Sequence, residues 1–357
     1  MKFPNLKLPS HSWSAAVLLL AACGGHAAPS QPTTDPGAAY QLLATLSDDS
    51  LAGRATGRPG AVSAARIIAE EMRRAGLTPA GDSGFHQRVP LVMGSRTFRN
   101  GGQERTVRGP MVAPSFAARD SFPAADRLPG SNVVGLIAGA DPALAGEYVL
   151  IGAHYDHVGI RAPVNGDSIY NGADDDASGV VAVLEIARQI ARGPRPRRTL
   201  VFATWIGEES GLLGARWFSD HPVRPLDQMV ANLEIEMIGR PDSLAGGPGR
   251  AWLTGYERST MGEALAAAGI PIGPDRRPAQ NFFRRSDNYQ FALKGIVAHT
   301  LSTFNMHEDY HRPSDEVSRV DRDHFARVID AAAAAVRILA DGPKPEWKPG
   351  GRPTPQP

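Results

Sequence analysis

Apolar residues recur along this chain with two periods, and the period changes with position. Near the start, AAYQLLATL (from Ala38) and AVSAARIIAEEMRRAGL (from Ala61) place apolar residues at helical spacing, and Gly76 supplies a C-terminal stop. FHQRVPLV (from Phe85) and SNVVGLIAG (from Ser131) then read as strands. From Glu147 onward the two patterns alternate. The strands are EYVLIGA, RTLVFATW, QMVANLEIEMIG and IVAHTLST. The helices are SGVVAVLEIARQIAR, SGLLGARWFSDH, RSTMGEALAAAGI and, closing the run, DRDHFARVIDAAAAAVRILA. Strands alternating with helices predict an α/β sandwich with a largely parallel central sheet. The hairpin-like early strands predict an antiparallel edge, so the sheet is expected to be mixed.

The two ends depart from this pattern. Lys2 and Lys7 precede SWSAAVLLLAACGG, an apolar run ending in small residues and a cysteine. The run is far shorter than the ~20 residues of a membrane-crossing helix, and a basic start followed by such a run marks an export signal. Leu20-Ala21-Ala22-Cys23 resembles the lipobox of bacterial lipoproteins. That resemblance implies a signal peptide over residues 1–23, lipidation of Cys23, and a membrane-anchored protein. Gly24, in place of Asp, implies the outer membrane, facing the periplasm. An ordinary signal peptide cut near Ala27 or Ala28, leaving a soluble periplasmic or secreted protein, is the alternative. Residues 24–36 are rich in Pro, Thr, Ser and Gly and read as a flexible tether. The stretch DGPKPEWKPGGRPTPQP suits neither a helix nor a central strand, so residues 342–357 are expected to be a disordered tail. Between them, 37–341 reads as a single domain without internal repeats.

Composition adds exclusions. A net charge of +1 gives no reason to expect nucleic acid as a partner, and the densest basic run, RGPRPRR at Arg192–Arg198, reads as a solvated turn. A single cysteine rules out an intramolecular disulfide.

The chemistry concentrates where such sheets bind ligands, beyond the carboxyl ends of the strands. His154, Tyr155, Asp156 and His157 follow EYVLIGA; NGADDDASG precedes a helix; Glu208 and Glu209 follow RTLVFATW; Glu234 and Glu236 sit in an otherwise apolar strand; and NMHEDYHRPSDE follows IVAHTLST. Each alone reads equally as structure: a bonded histidine, a helix-start acid, a strand residue facing water. Five such groups in one sheet converge on one crevice, and carboxylates gathered there need cations. Imidazole and carboxylate without thiolate suit zinc, with cobalt or manganese as substitutes. Two dications ~3.5–4 Å apart need a bridging anion. A short aspartate from the Asp174–Asp176 triplet, between small residues, can present one oxygen to each.

GAHYDH, NGADDDASG, GEESG, EMIG and DYHRPSDE, in this order, resemble the M28 family of co-catalytic zinc peptidases, mostly aminopeptidases, over about residues 38 to 340. The resemblance implies a three-layer, zinc-dependent exopeptidase-like fold, two zinc ions and a peptide substrate with a free N-terminus. It implies His154, Asp175, Glu209, Glu236 and His311 as metal ligands, with Asp175 bridging, and Glu208 as the catalytic general base. It implies Asp156 behind His154, Asp315 as a further supporting acid, Tyr310 at the substrate, and a cis peptide after Asp175. Glu236 stands where the family most often has Asp, with Glu234 as its rival; His307 is the rival of His311. Three alternatives stay open: a glutaminyl cyclase-like zinc transferase, a carboxypeptidase using Arg284 and Arg285, and a non-catalytic surface lipoprotein with a peptidase fold.

Overall fold

The computed structural model describes Met1 and residues 33–100 and 103–354; Cys23, the signal-like segment and the tether up to Pro32 lie outside the described residues. Apart from Met1, the described residues form one compact unit. Its helices are α1 (Pro36–Leu46), α2 (Pro59–Arg74), α3 (Phe116–Asp120), α4 (Gly179–Arg192), α5 (Leu213–Asp220), α6 (Met261–Ala267), α7 (Asn288–Leu293) and α8 (Arg322–Asp341). Its strands begin with β1 (Thr78–Pro79), β2 (His86–Arg88), β3 (Leu91–Asn100), β4 (Gln103–Val112) and β5 (Ser131–Ile137). They continue with β6 (Tyr148–His154), β7 (Gly159–Val164), β8 (Asp167–Tyr170), β9 (Thr199–Trp205), β10 (Met229–Glu236), β11 (Ala251–Leu253), β12 (Ile272–Pro274) and β13 (Ala298–Ser302).

The main sheet runs β1-β5-β9-β6-β10-β13-β11-β12, with β2 also on β5. Its four central strands, β9, β6, β10 and β13, are mutually parallel, while β5 and β11 join them antiparallel. The mixed, centrally parallel sheet expected from the alternation is therefore present. Period-2 geometry splits each central strand between two cores. Val149, Ile151, Leu200 and Phe202 face a core shared with α1, α2, α4 and α8. Tyr148, Leu150, Val201, Ala203 and Trp205 face a second core with α5 and α7, centred on Phe218 and Phe291. Burial on both faces explains why these strands read as unbroken apolar runs, and the result is a three-layer sandwich.

Two local outcomes differ from the sequence reading. FHQRVPLV is not one strand: β2 pairs with β5, whereas β3 leaves the sheet beyond Pro90 to form a separate hairpin with β4. Pro90 has no N–H for a ladder. The hairpin carries polar residues on its strands, such as Thr97 and Thr106, whose hydroxyls meet at 2.9 Å, so no burial periodicity announced it. The tail is the second correction. Residues 342–354 are not disordered but strapped to the domain. Trp347 Nε1 donates to the Gly295 carbonyl at 2.9 Å, and its ring packs against His299 and Phe283. Thr260 N donates to the Glu346 carbonyl and Lys348 N to the Arg258 carbonyl, each at 2.9 Å. One large aromatic and a few main-chain bonds order a segment whose Pro and Gly content argued otherwise.

Candidate active site

The four parallel strands present their carboxyl ends on the same side of the sheet. β6 delivers His154 as its last residue; β10 delivers Glu236 as its last residue. Glu208 and Glu209 follow β9, and the loop after β13 brings His311. The triplet Asp174–Asp176 bridges from β8 to α4. Gly172 opens that passage with φ 59°, a left-handed conformation that suits glycine, and a Cβ there would lie 2.5 Å from the His157 ring.

The three aspartates divide the work. Asp174 Oδ1 accepts from Gly239 N at 2.7 Å, and Oδ2 meets His307 Nε2 at 3.0 Å. Asp176 Oδ1 accepts from Gly179 N and Met237 N, both at 3.0 Å. These two therefore tie the triplet to α4 and to the chain after Glu236. Asp175 lies between, and its peptide bond to Asp176 is cis. Its Oδ1 faces His154 Nε2 at 3.3 Å, and its Oδ2 faces His311 Nε2 at 3.1 Å and His157 Nδ1 at 3.7 Å. Glu209 Oε1 stands 2.9 Å from His157 Nδ1 and 3.1 Å from His311 Nε2.

Two groups of donor atoms result, each mutually within 4.8 Å: His154, Asp175 and Glu236 in one, and His157, Asp175, Glu209 and His311 in the other. Asp175 belongs to both. His154 Nε2, His157 Nδ1, Asp175 Oδ2 and Glu209 Oε1 are buried, and among the described residues none makes a hydrogen bond. Buried polar atoms are almost always bonded, so donors orphaned around common points fit metal ions. The electrostatics agree. Burial opposes charge on Asp175, yet the imidazoles of His157, His154 and His311 hold its carboxyl well below the usual range. Burial would lower His311, but Asp175 and Glu209 push it up to about 10. The carboxylates draw positive charge into the crevice. Glu208 is different: burial, reinforced by Glu236, Asp287 and Glu209, raises its carboxyl well above the ordinary value despite the opposing pull of His154. It lines the pocket beside the donors without joining either group.

His154, Asp175, Glu209, Glu236 and His311 are thus brought together, but one supporting acid, Asp156, acts otherwise than expected. The Asp156 carboxylate does not bond the His154 ring; Nδ1 meets the Asp156 carbonyl at 3.0 Å, and the carboxylate oxygen is 4.0 Å away. That carboxylate instead accepts from Glu208 N at 3.0 Å and Thr56 Oγ1 at 2.6 Å. Asp315 accepts from the main-chain N–H groups of Asp174 and Asp175, and it also meets Arg240. It therefore holds the triplet's backbone. Tyr310 stacks on His311, with centroids 4.0 Å apart, and lines the pocket. Glu234 is not a donor here: it accepts from Asn232 Nδ2 and Trp205 Nε1 within the sheet, and burial raises its carboxyl to about 7. Gly152 makes that seat, since a Cβ there would lie 2.2 Å from the Glu234 carboxylate.

Sequence reading gave no role to two residues of the site. His157 stands beyond the end of β6, where strand periodicity no longer tells which way a side chain points. Arg54 is 1% exposed, and its guanidinium donates to the carbonyls of Tyr155, Leu46, Asn171 and Gly172. It ends a short 3₁₀ turn, Asp49–Arg54, broken by the left-handed Ala52 and Gly53, so no regular period marks it as buried.

Comparison with known proteins follows the same outline. Peptidase family M28 matches residues 132–336. A vacuolar membrane protease of Tuber melanosporum is 30% identical over 59% of this chain; the match spans 21% of that protein, well under two thirds of its length. Among solved structures, an aminopeptidase from an Aneurinibacillus strain superposes with TM-score 0.61 at 18% identity, covering 87% of this chain and 95% of its own. A zinc aminopeptidase from Bacillus subtilis superposes with TM-score 0.64 at 15% identity, covering 88% of this chain and 97% of its own. At these identities the likeness speaks for the fold.

Proposed function

The chain belongs to peptidase family M28, and on that premise we propose that it is a two-metal aminopeptidase. The observation that carries the reading is the division of Asp175, whose two oxygens face different donor groups. Zinc ions held by His154, Asp175 and Glu236 and by Asp175, Glu209 and His311 would polarise a peptide carbonyl and acidify a water. Glu208, held by its N–H on Asp156, takes the proton of that water and returns it to the departing amine. Trp252, Phe282 and Phe304 line the adjoining pocket with Thr254 and Thr300, which fits an apolar N-terminal side chain. Trp252 and Phe282 stack at 5.2 Å, so the wall is flat and aromatic.

A second reading has one observation behind it. Arg285 also lines this pocket, with its guanidinium over the Phe282 ring, where it suits a substrate's terminal carboxylate. Aminoacyl-anilides with a free amine separate the two readings from N-blocked peptides with a free C-terminus. Cleavage of the anilides supports the aminopeptidase; cleavage confined to the blocked peptides favours the carboxypeptidase.

Metal analysis of variants tests the donor assignment. His154→Ala is expected to lose the ion shared with Glu236, and His311→Ala to lower content at the other position, measured per chain after gel filtration. Full content in either variant means the wrong histidine was chosen. We further propose export and anchoring through a lipidated Cys23. In a bacterial host, Cys23→Ser should move the protein out of the membrane fraction; unchanged membrane attachment refutes lipidation.

A further inference from the structure

We propose that His157 is a fourth protein ligand at the position formed by Asp175, Glu209 and His311, and that it makes the two metal positions unequal, so that a divalent ion fills the His157 side first. The inference rests on the two-metal reading above. His157 is 1% exposed, and among the described residues both of its ring nitrogens lack a hydrogen-bond partner. A buried structural histidine in this same chain looks different. His299 is equally enclosed, but its Nε2 meets Ser259 Oγ and its Nδ1 meets the Thr254 carbonyl, both at 2.7 Å. His157 Nδ1 instead points among carboxylate oxygens, 2.9 Å from Glu209 Oε1 and 3.7 Å from Asp175 Oδ2.

The ring is held there from both ends. Its main-chain N–H donates to the Arg54 carbonyl at 3.3 Å, and Ala55 pairs with it in a parallel bridge. Gly172 packs so closely against the ring that a Cβ would lie 2.5 Å from Cγ and 2.6 Å from Cδ2. The His311 ring stands nearly perpendicular, 77° away at 5.4 Å, so the two imidazoles approach the common point from different directions.

The consequence is chemical. The His154 group has one imidazole and two carboxylates; the His157 group has two imidazoles and two carboxylates. Four protein donors complete the tetrahedral shell that zinc prefers, whereas three leave a position for water or substrate. Imidazole also suits late first-row ions better than a further carboxylate does. The His157 position is thus closed and retentive. The His154 position, beside Glu208, is open and exchanges more readily.

The full chain, stripped with chelator and titrated with Co²⁺ by calorimetry, tests this. Two binding classes differing by at least about tenfold are expected, and His157→Ser should weaken the tighter class by roughly 10–100-fold, in line with losses on removing metal-site partners. Far-UV circular dichroism verifies that the variant is folded. Crystals of the unmutated protein grown with one equivalent of Co²⁺ should show anomalous density beside His157 Nδ1, which decides the question even if His157→Ser does not fold. Two equal classes, an unaffected tight class, or density on the His154 side overturns the inference while leaving the two-metal reading intact. Absence of any Co²⁺ binding overturns both.

Discussion

Glu208→Gln is expected to lower turnover by about 10²–10⁴-fold, the usual range for a lost general base, with metal content and thermal midpoint unchanged. Gln has nearly the shape of Glu, and the hydrogen bond that fixes the position comes from the main-chain N–H to Asp156, which the substitution keeps. Neither donor group includes Glu208, so the loss is confined to proton transfer. Steady-state kinetics on an aminoacyl-anilide, alongside metal analysis, measures it. Turnover within a few-fold of the parent, or loss of metal, would remove Glu208 from the role.

Arg54→Met is expected to give the largest loss of stability, about 3–5 kcal/mol, the range for removing one partner of a buried charge system. Four main-chain carbonyls from three separate segments lose their donor: Leu46, Tyr155, and the pair Asn171 and Gly172. The charge is lost as well. Burial lowers Arg54 to about 10 while Asp175, Asp315, Asp156 and Asp176 oppose that fall, so at neutral pH it is a cation facing four acids. Arg54→Lys should not rescue, because one ammonium cannot reproduce the fork that reaches all three segments. Thermal unfolding followed by circular dichroism in chelator should show a midpoint lower by on the order of ten degrees. A Met variant within 1 kcal/mol of the parent would show that the loops hold without it.

Much of this was written locally. The alternation of largely apolar strands with amphipathic helices predicted the layered fold, because burial on both faces favours apolar residues on both sides of a strand. The order of GAHYDH, NGADDDASG, GEESG, EMIG and DYHRPSDE located the site at the strand ends, and folding brings their His, Asp and Glu side chains within reach of one another. Chemistry of this kind is legible because the motif and the strand end are adjacent in sequence.

What sequence alone determined, then, were most of the elements and the strand ends at which the acidic and imidazole side chains gather. Tertiary structure decided which way residues outside any periodic element face. His157, Arg54, Arg240 and Trp347 all lie there, and each finds its partners far along the chain: Arg240 meets Asp309 and Asp315, and Trp347 reaches Gly295. The carboxylate of Asp156 turned to Glu208 rather than to His154 for the same reason. Orientation in irregular backbone is set by what packs against it, and packing between segments far apart in the chain leaves no period in the sequence to read.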